Sequence, residues 1–488
     1  MDKGQHKRQT IEGARWAVRD QVTNQLINFG VGIALARLLG PEVFGLFAMV
    51  MIIIGFLGVF KDLGLPEAII QDQALDQQKL SAAFWLQVLF SLFLVAFLAL
   101  MAKPIALFYQ KAILQDLTWL IALSFIFEAL YASQSALLQK QLNFQKLFYI
   151  NVVATAVAGG VAVGMALTGY GIWSLVARLL LFSATSLLLF WITSGWWPQL
   201  SMGREAIQPL LNFSLPLKAS QILNYIVRNI DDLLIGKYLG AAELGAYNRA
   251  YTIMLMPLQH LSNVVTKVMF PALSQIQSDK ETVRQIFLKM GRVVASITFP
   301  AMAILAILSA PFILAILGEE WSATIPVLQI LCILGATQSI GTFNGIIFQS
   351  QGATKAHFRL HLLTKPFLIG MISLGFLYTR SISGVALFYM IGSLITLIIS
   401  WRVVSRLVGS NLGELLGNLR FLMIPLVGTV LLAYGLDHYL LLEQGYWLRL
   451  ILTAMASGLF YLLLFRIFAP LQWGEVWGMI EKMLGRND

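Results

Sequence analysis

A single cysteine, Cys332, stands in a chain of 488 residues. One thiol excludes an internal disulfide framework and any multi-cysteine metal site. Its setting, VLQILCILG, makes it a packing residue. Charge is scarce as well. Asp, Glu, Lys and Arg together make up 12% of the chain, against roughly 25% in a soluble globule. Too few polar groups are present to coat a water-facing surface, so most of the exterior must face lipid. No P-loop occurs, which argues against ATP hydrolysis. Only His357 and His361 have the i, i+4 spacing of a metal pair. Neither an HExxH pattern nor a third ligand accompanies them, so neither metal nor cofactor is expected. The polar stretch MDKGQHKRQTIEGARWAVRD lacks an apolar cleavage-type region, and no removable signal peptide is expected.

What fills the chain is apolar: 58% hydrophobic residues and a mean hydropathy of +0.76. The formal charge is +10. On a soluble protein that excess would suggest nucleic acid; here it fits basic cytoplasmic loops, and no nucleic-acid partner is expected. A span needs about 20 predominantly apolar residues. Fourteen stretches qualify, near 17–39, 43–65, 81–102, 113–137, 147–168, 172–194, 213–239, 244–270, 293–315, 324–349, 362–379, 384–405, 421–437 and 447–468. The longest internal connections fall near 195–212, 271–292 and 406–420, too short for a soluble domain. The tail after Pro470 reads as an amphipathic interfacial helix. Lys3, Lys7, Arg8, Lys140, Lys146, Lys280, Arg284, Lys289, Lys355, Arg359, Arg402 and Arg406 fall on one side. Arg37, Lys103, Lys111, Lys237, Arg249, Arg380 and Arg449 fall on the other. The bias predicts both termini in the cytoplasm.

A shift of 200 residues lays QVTNQLINFGVGIALARLLGPEVFGLF, from Gln21, over QILNYIVRNIDDLLIGKYLGAAELGAY, from Gln221. Asn24 meets Asn224, Gly40 meets Gly240, Gly45 meets Gly245, and Arg37 meets Lys237. This argues for duplication. Repeats in the same orientation predict an all-α polytopic membrane protein with two pseudo-symmetric six-helix lobes, 1–200 and 201–410. Accessory helices 13 and 14 and a tail follow at 411–488. Transporters built this way hold substrate between lobes. Small-xxx-small pairs such as Gly160 and Gly164 suit close helix packing.

Span 7 carries a polar stripe. With Asn224 at zero, Gln221, Arg228, Asp231 and Asp232 fall within an arc of about 100°. Lipid cannot solvate such a face, so it must meet a bundle interior or a wet cavity. Span 1 repeats the pattern with Gln21, Asn24, Gln25 and Asn28. Two readings stay open. Arg228 pairs with Asp231 or Asp232 for structure alone, or it binds an anionic headgroup while an aspartate couples an ion. Arg15 and Arg19, at the start of span 1, either attract an anionic substrate or anchor to lipid phosphates. Arg178 lies deep in span 6. Lys218, Arg249 and Lys267 flank spans 7 and 8, where the lysines can snorkel. His260 is mid-span, a hydrogen-bonded histidine or a proton carrier.

ALARLLGPEVFGLFAMV, DLGLPEAIIQ, GYGIWSLV, NIDDLLIGKYLGAAELGAYNRAYTIMLMPLQ, KVMFPALSQIQSD and GEEWSATIPVLQILCILGATQSIG occur in this order. Together they resemble the polysaccharide-transport (PST) family of the multidrug/oligosaccharidyl-lipid/polysaccharide (MOP) superfamily, nearest its colanic-acid and exopolysaccharide exporters. The resemblance runs from about residue 10 to 405. It implies a MATE-like fold of fourteen helices, no catalytic residues, and a place in the bacterial inner membrane. The implied activity is flipping of an undecaprenyl-pyrophosphate-linked oligosaccharide ahead of polysaccharide polymerase and export machinery. The rivals are an ion-coupled drug antiporter of the same fold and a flippase for the peptidoglycan lipid precursor. A membrane glycosyltransferase or polymerase would need a large outer loop, which is lacking.

Overall fold

Gly40 and Pro41 set the course of the first helix. In the computed structural model α1 runs Lys3–Gly58, 56 residues, or about 84 Å of helix. That is more than twice the hydrocarbon core of about 30 Å, so α1 must cross twice. It breaks at Gly40 (φ 70°, ψ 175°), ahead of Pro41. Residues with a Cβ avoid that conformation, and Pro41 suits the first turn of the returning arm. The two arms are the spans expected at 17–39 and 43–65. The structure describes residues 3–61, 63–73, 75–200, 203, 208, 225–226 and 228–483. For 3–11, 259–268, 270–272, 354, 412, 415 and 479–483 it describes the backbone alone.

The chain forms two compact units, residues 1–245 and 246–488. In the first unit α1 is followed by α2 (Leu65–Gln71), α3 (Gln77–Tyr109), α4 (Ile113–Lys140), α5 (Phe144–Leu167) and α6 (Trp173–Ser194). Helical residues 228–238 (α7) and the start of α8 (Ala241–Gln275) complete it. Asp76 caps α3 by accepting from the Lys79 backbone N–H at 2.7 Å, and Asn143 caps α5. The Lys140 ammonium donates to the carbonyls of Ile69 and Asp72, satisfying the end of α2.

The second unit holds the rest of α8, then α9 (Lys280–Ile307), α10 (Ser309–Ile316), α11 (Thr324–Ser350), α12 (Thr354–Thr379) and α13 (Ile382–Val408). Next come α14 (Leu412–Gly417), α15 (Met423–Gly435), α16 (Tyr446–Phe468) and α17 (Pro470–Met483). Its core joins Leu273, Phe287, Phe343, Ile347 and Trp401. Cys332 is buried in α11. Among the described residues eleven helices, α1 counted once, are long and apolar enough to cross a membrane. In lipid each backbone group must be satisfied within its helix; the chain is an all-α polytopic membrane protein.

One boundary differs from the sequence expectation. The connection expected at 271–292 is largely helical, because α9 starts at Lys280 behind an Asp279 cap. Its two arginines are paired, while Lys280 and Lys289 are exposed. Arg284 bridges Glu414, and Arg292 makes a fork of 3.0 and 2.8 Å with Glu475 of α17. The tail is thus fastened to α9, with Trp473 packed on Phe465. Arg449, expected near the outer surface, is 9% exposed and forks onto Asp437, itself 1% exposed, with both bonds at 2.9 Å. Asp437→Ala should cost about 3–5 kcal/mol by stranding that guanidinium. The double replacement Asp437→Leu with Arg449→Met should cost much less. Thermal unfolding of the detergent-solubilised variants checks both.

The duplication reappears in three dimensions. Gly240, the repeat mate of Gly40, also has positive φ, at 98°. The backbone of Ala241 lies against the α-carbon of Gly45, and the backbone of Pro41 lies against that of Gly245. Because Ala241 is Pro41 shifted by 200 residues, the two close approaches are one contact made twice. The close-packing role expected of Gly160 and Gly164 is not found among the described residues: no atom of a neighbouring element lies within 4 Å of a Cβ at either. The neighbouring Gly159 instead meets Val31. A spacing of four identifies a shared helix face but not the face that meets a neighbour.

Candidate functional site

Small residues on α5 let α1 come close. Ala154, Ala158 and Ala162 are buried, and Gly159 touches Val31. Toward the helix starts the same seam turns polar. Asn151 and Thr155, one turn apart on α5, face Asp20 and Asn24 of α1. Asn24 donates to Asp20 Oδ1 at 2.7 Å, and Asn151 donates to Asp20 Oδ2 at 3.0 Å. Thr155 donates to Asn24 Oδ1 at 2.7 Å. Each oxygen of the Asp20 carboxylate therefore has an amide donor. Further along, Arg178 of α6 donates through Nη2 to Asn28 at 2.6 Å. Glu128 of α4 pairs with Lys61.

Asp20, Asn24, Asn28, Glu128, Asn151, Thr155 and Arg178 line a cavity of about 650 Å³, within the size range of small-molecule sites. Phe44, Phe47, Leu175 and Phe182 supply its apolar wall. Arg178 is its one cationic lining residue among the described residues. A guanidinium has five N–H donors in a fixed fork. Asn28 takes one, and no other bond to Arg178 occurs among the described residues. The rest are available to an anion, and their planar arrangement suits phosphate oxygens.

The structure divides the residues singled out from sequence. Asn24, Asn28 and Arg178 line this cavity; Gln21 is exposed on α1. Arg15 and Arg19 are exposed at the start of the same helix, with the Arg19 guanidinium 4.8 Å from the Trp16 ring centroid. On α7 the stripe splits. Arg228 is exposed, while Asp231 and Asp232 are 3% and 9% exposed. No ion pair joins Arg228 to either aspartate among the described residues. Asp232 lies within electrostatic reach of Tyr109 and Tyr225, and the Tyr225 hydroxyl donates to the Ile52 carbonyl at 2.8 Å. None of the three lines the 650 Å³ cavity. Arg249 lies over the Trp321 ring, 5.6 Å from its centroid. Lys218, Gln221 and Asn224, and the side chains of His260 and Lys267, lie outside the described residues.

Asp20, Glu128, Asn151 and Thr155 are the lining residues that sequence reasoning missed. Two signals were present. Asp20 and Glu128 are carboxylates within spans, as informative as the in-span cations. Asn151 and Thr155 form an i, i+4 polar pair in the apolar stretch of α5 that follows Lys146.

Comparison with known proteins agrees with this architecture. The lipopolysaccharide biosynthesis protein WzxC of Escherichia coli K12 is 29% identical over 439 residues, 88% of each chain. The lipid II flippase MurJ, in an inward closed conformation, superposes with a TM-score of 0.73 at 16% identity, over 94% of this chain and 98% of its own. An inward-facing multidrug-resistance MATE transporter of the MOP superfamily superposes with a TM-score of 0.64 at 16% identity, over 79% and 94%. These likenesses establish the MOP fold. Residues 34–326, more than half of the chain, match the family described as polysaccharide biosynthesis protein, and this chain belongs to that family.

Proposed function

We propose that this protein is a flippase for an undecaprenyl-pyrophosphate-linked oligosaccharide in the bacterial inner membrane. It serves exopolysaccharide, O-antigen or capsule assembly, and its termini lie in the cytoplasm. The carrying observation is the 650 Å³ cavity with the uncommitted donors of Arg178, in a chain of the polysaccharide biosynthesis family. The likeness to a protein named as a lipid II flippase supports the same reading.

The physical need is clear. A single charge at the bilayer centre costs about 3 kcal/mol on insertion scales and more than 10 in simulations of an isolated side chain. A pyrophosphate headgroup with sugars attached is worse, since each hydroxyl must also lose water. A polar cavity lowers that barrier, while the polyprenyl tail stays in lipid. Arg178 takes the pyrophosphate, the amides of α1 and α5 solvate the sugar, and alternating access moves the headgroup across. Arg228, exposed on α7, is a second cation on offer to the same headgroup. No step of this cycle makes or breaks a covalent bond.

Reconstitution tests the proposal. A fluorescent undecaprenyl-pyrophosphate-linked oligosaccharide is placed in both leaflets of proteoliposomes, and a membrane-impermeant reductant is added outside. Bleaching is expected to run to completion with the protein and to stop near half without it. A halt near half in both cases overturns the assignment. Uptake of small cationic drugs in place of lipid flipping would favour the antiporter reading.

A further inference from the structure

Outside the large cavity, a second pocket of about 250 Å³ opens where the start of α1 meets the α4–α5 turn. Glu12, Trp16, Gln141, Asn143 and Gln145 line it. Among the described residues its polar wall is a carboxylate, three amides and an indole, with no cationic side chain. Among the described residues, the side chains of Glu12, Gln141 and Gln145 make no hydrogen bond or ion pair, and all three are exposed. Asn143 spends its carbonyl oxygen capping α5 and keeps its NH₂ group.

That chemistry selects a ligand class. Each amide offers two donors and an acceptor, the pattern that matches vicinal hydroxyls, which both donate and accept. The Glu12 carboxylate adds acceptors, and Trp16 adds apolar surface with one N–H. A phosphate would meet Glu12 and be repelled. A hydrocarbon tail would strand the amides. A neutral, polyhydroxylated ring satisfies the whole wall.

Position points the same way. Glu12, Trp16, Asp20, Asn24 and Asn28 follow one another at four-residue intervals along α1, each turned about 40° from the last. The first two line the small pocket and the other three the large cavity. On α5, Asn143 and Gln145 precede Asn151 and Thr155 in the same order. The two sites thus lie in series along the α1–α5 seam. Arg15 and Arg19 are exposed beside the first, where they can meet phosphate while a sugar fills the pocket.

We infer that the pocket of Glu12, Trp16, Gln141, Asn143 and Gln145 is a vestibular saccharide subsite that reads the sugar of the lipid-linked substrate before it reaches the 650 Å³ cavity. This rests on the flippase reading and deepens it.

The test uses full-length protein in nanodiscs. The probes are undecaprenyl pyrophosphate and the same lipid carrying one glucose, galactose or N-acetylglucosamine. Wild type should bind at least one glycosylated lipid about tenfold tighter than the bare one. Gln141→Ala with Gln145→Ala, and separately Trp16→Ala, should bring that lipid to the bare-lipid affinity and leave the bare-lipid affinity within about twofold. Thermal unfolding identifies any misfolded variant; the paired glutamines are exposed, so at least that variant should fold. Selectivity unchanged in the folded variants, or a wild type that prefers no glycosylated probe, overturns the subsite alone if flipping persists. A wild type that binds no lipid probe, bare or glycosylated, and does not flip overturns the flippase reading as well.

Discussion

Gly45→Ala and Gly245→Ala are each expected to remove most of the folded protein from the membrane. At Gly45 an added methyl would overlap the main chain of Ala241, and at Gly245 the main chain of Pro41. Main chain cannot rotate aside as a side-chain tip does, so the two turns must separate. Overpacking costs about 1–3 kcal/mol when side chains give way, and a backbone obstruction puts these two at or above the top of that range. Each turn also carries a positive-φ glycine, Gly40 or Gly240, so the backbone there has little room to adjust. The measurement is yield and monodispersity after detergent extraction, with the melting temperature of whatever survives. Gly160→Ala is the control, because no neighbouring atom of the described residues lies within 4 Å of a Cβ there. In a helix interior that exchange should be neutral, or stabilising by up to about 1 kcal/mol. Equal behaviour of Gly45→Ala and Gly160→Ala would show that the reciprocal contact does not hold the turns together.

The second large effect belongs to Arg178. Hydrogen bonds to a charged group contribute about 1.5–3 kcal/mol, so Arg178→Ala should slow flipping by roughly 10- to 150-fold. Arg178→Lys keeps the charge and loses the fork, and should recover only part of the rate. Stability separates a binding role from a packing one. Arg178 borders an open cavity and bonds only Asn28 among the described residues. Its removal should therefore leave the melting temperature within a few degrees of wild type. A large melting shift with proportionate loss of flipping would make Arg178 a packing residue; full flipping by Arg178→Ala would remove it from the transport path.

The same residue shows how far the sequence carries. A guanidinium in the middle of WSLVARLLLFS is conspicuous in any hydropathy reading, and so are Asn24 and Asn28 on span 1. Their meeting was not legible, because 150 residues separate Arg178 from Asn28. Asp20 and Asn151, 131 residues apart, passed unnoticed for the same reason. The stripe on α7 shows a second limit. Helical period correctly groups Arg228, Asp231 and Asp232 within one arc, yet an arc of about 100° is wide enough to straddle a packing boundary. Arg228 falls on the exposed side of that boundary, and the aspartates fall on the buried side.

By itself the sequence determined the membrane-spanning helices, the break at Gly40 and the 200-residue duplication. All three are local or self-similar properties: hydrocarbon demands helices whose backbone groups pair within the segment, and a repeated turn must reuse its glycine. Only the tertiary structure decided which polar side chains share a cavity. It also decided that Gly159 rather than Gly160 takes the close approach, and that Asp437 and Arg449 are buried together. Period and hydropathy fix a residue's angle about its own helix axis; what that angle faces depends on neighbours that arrive from distant parts of the chain.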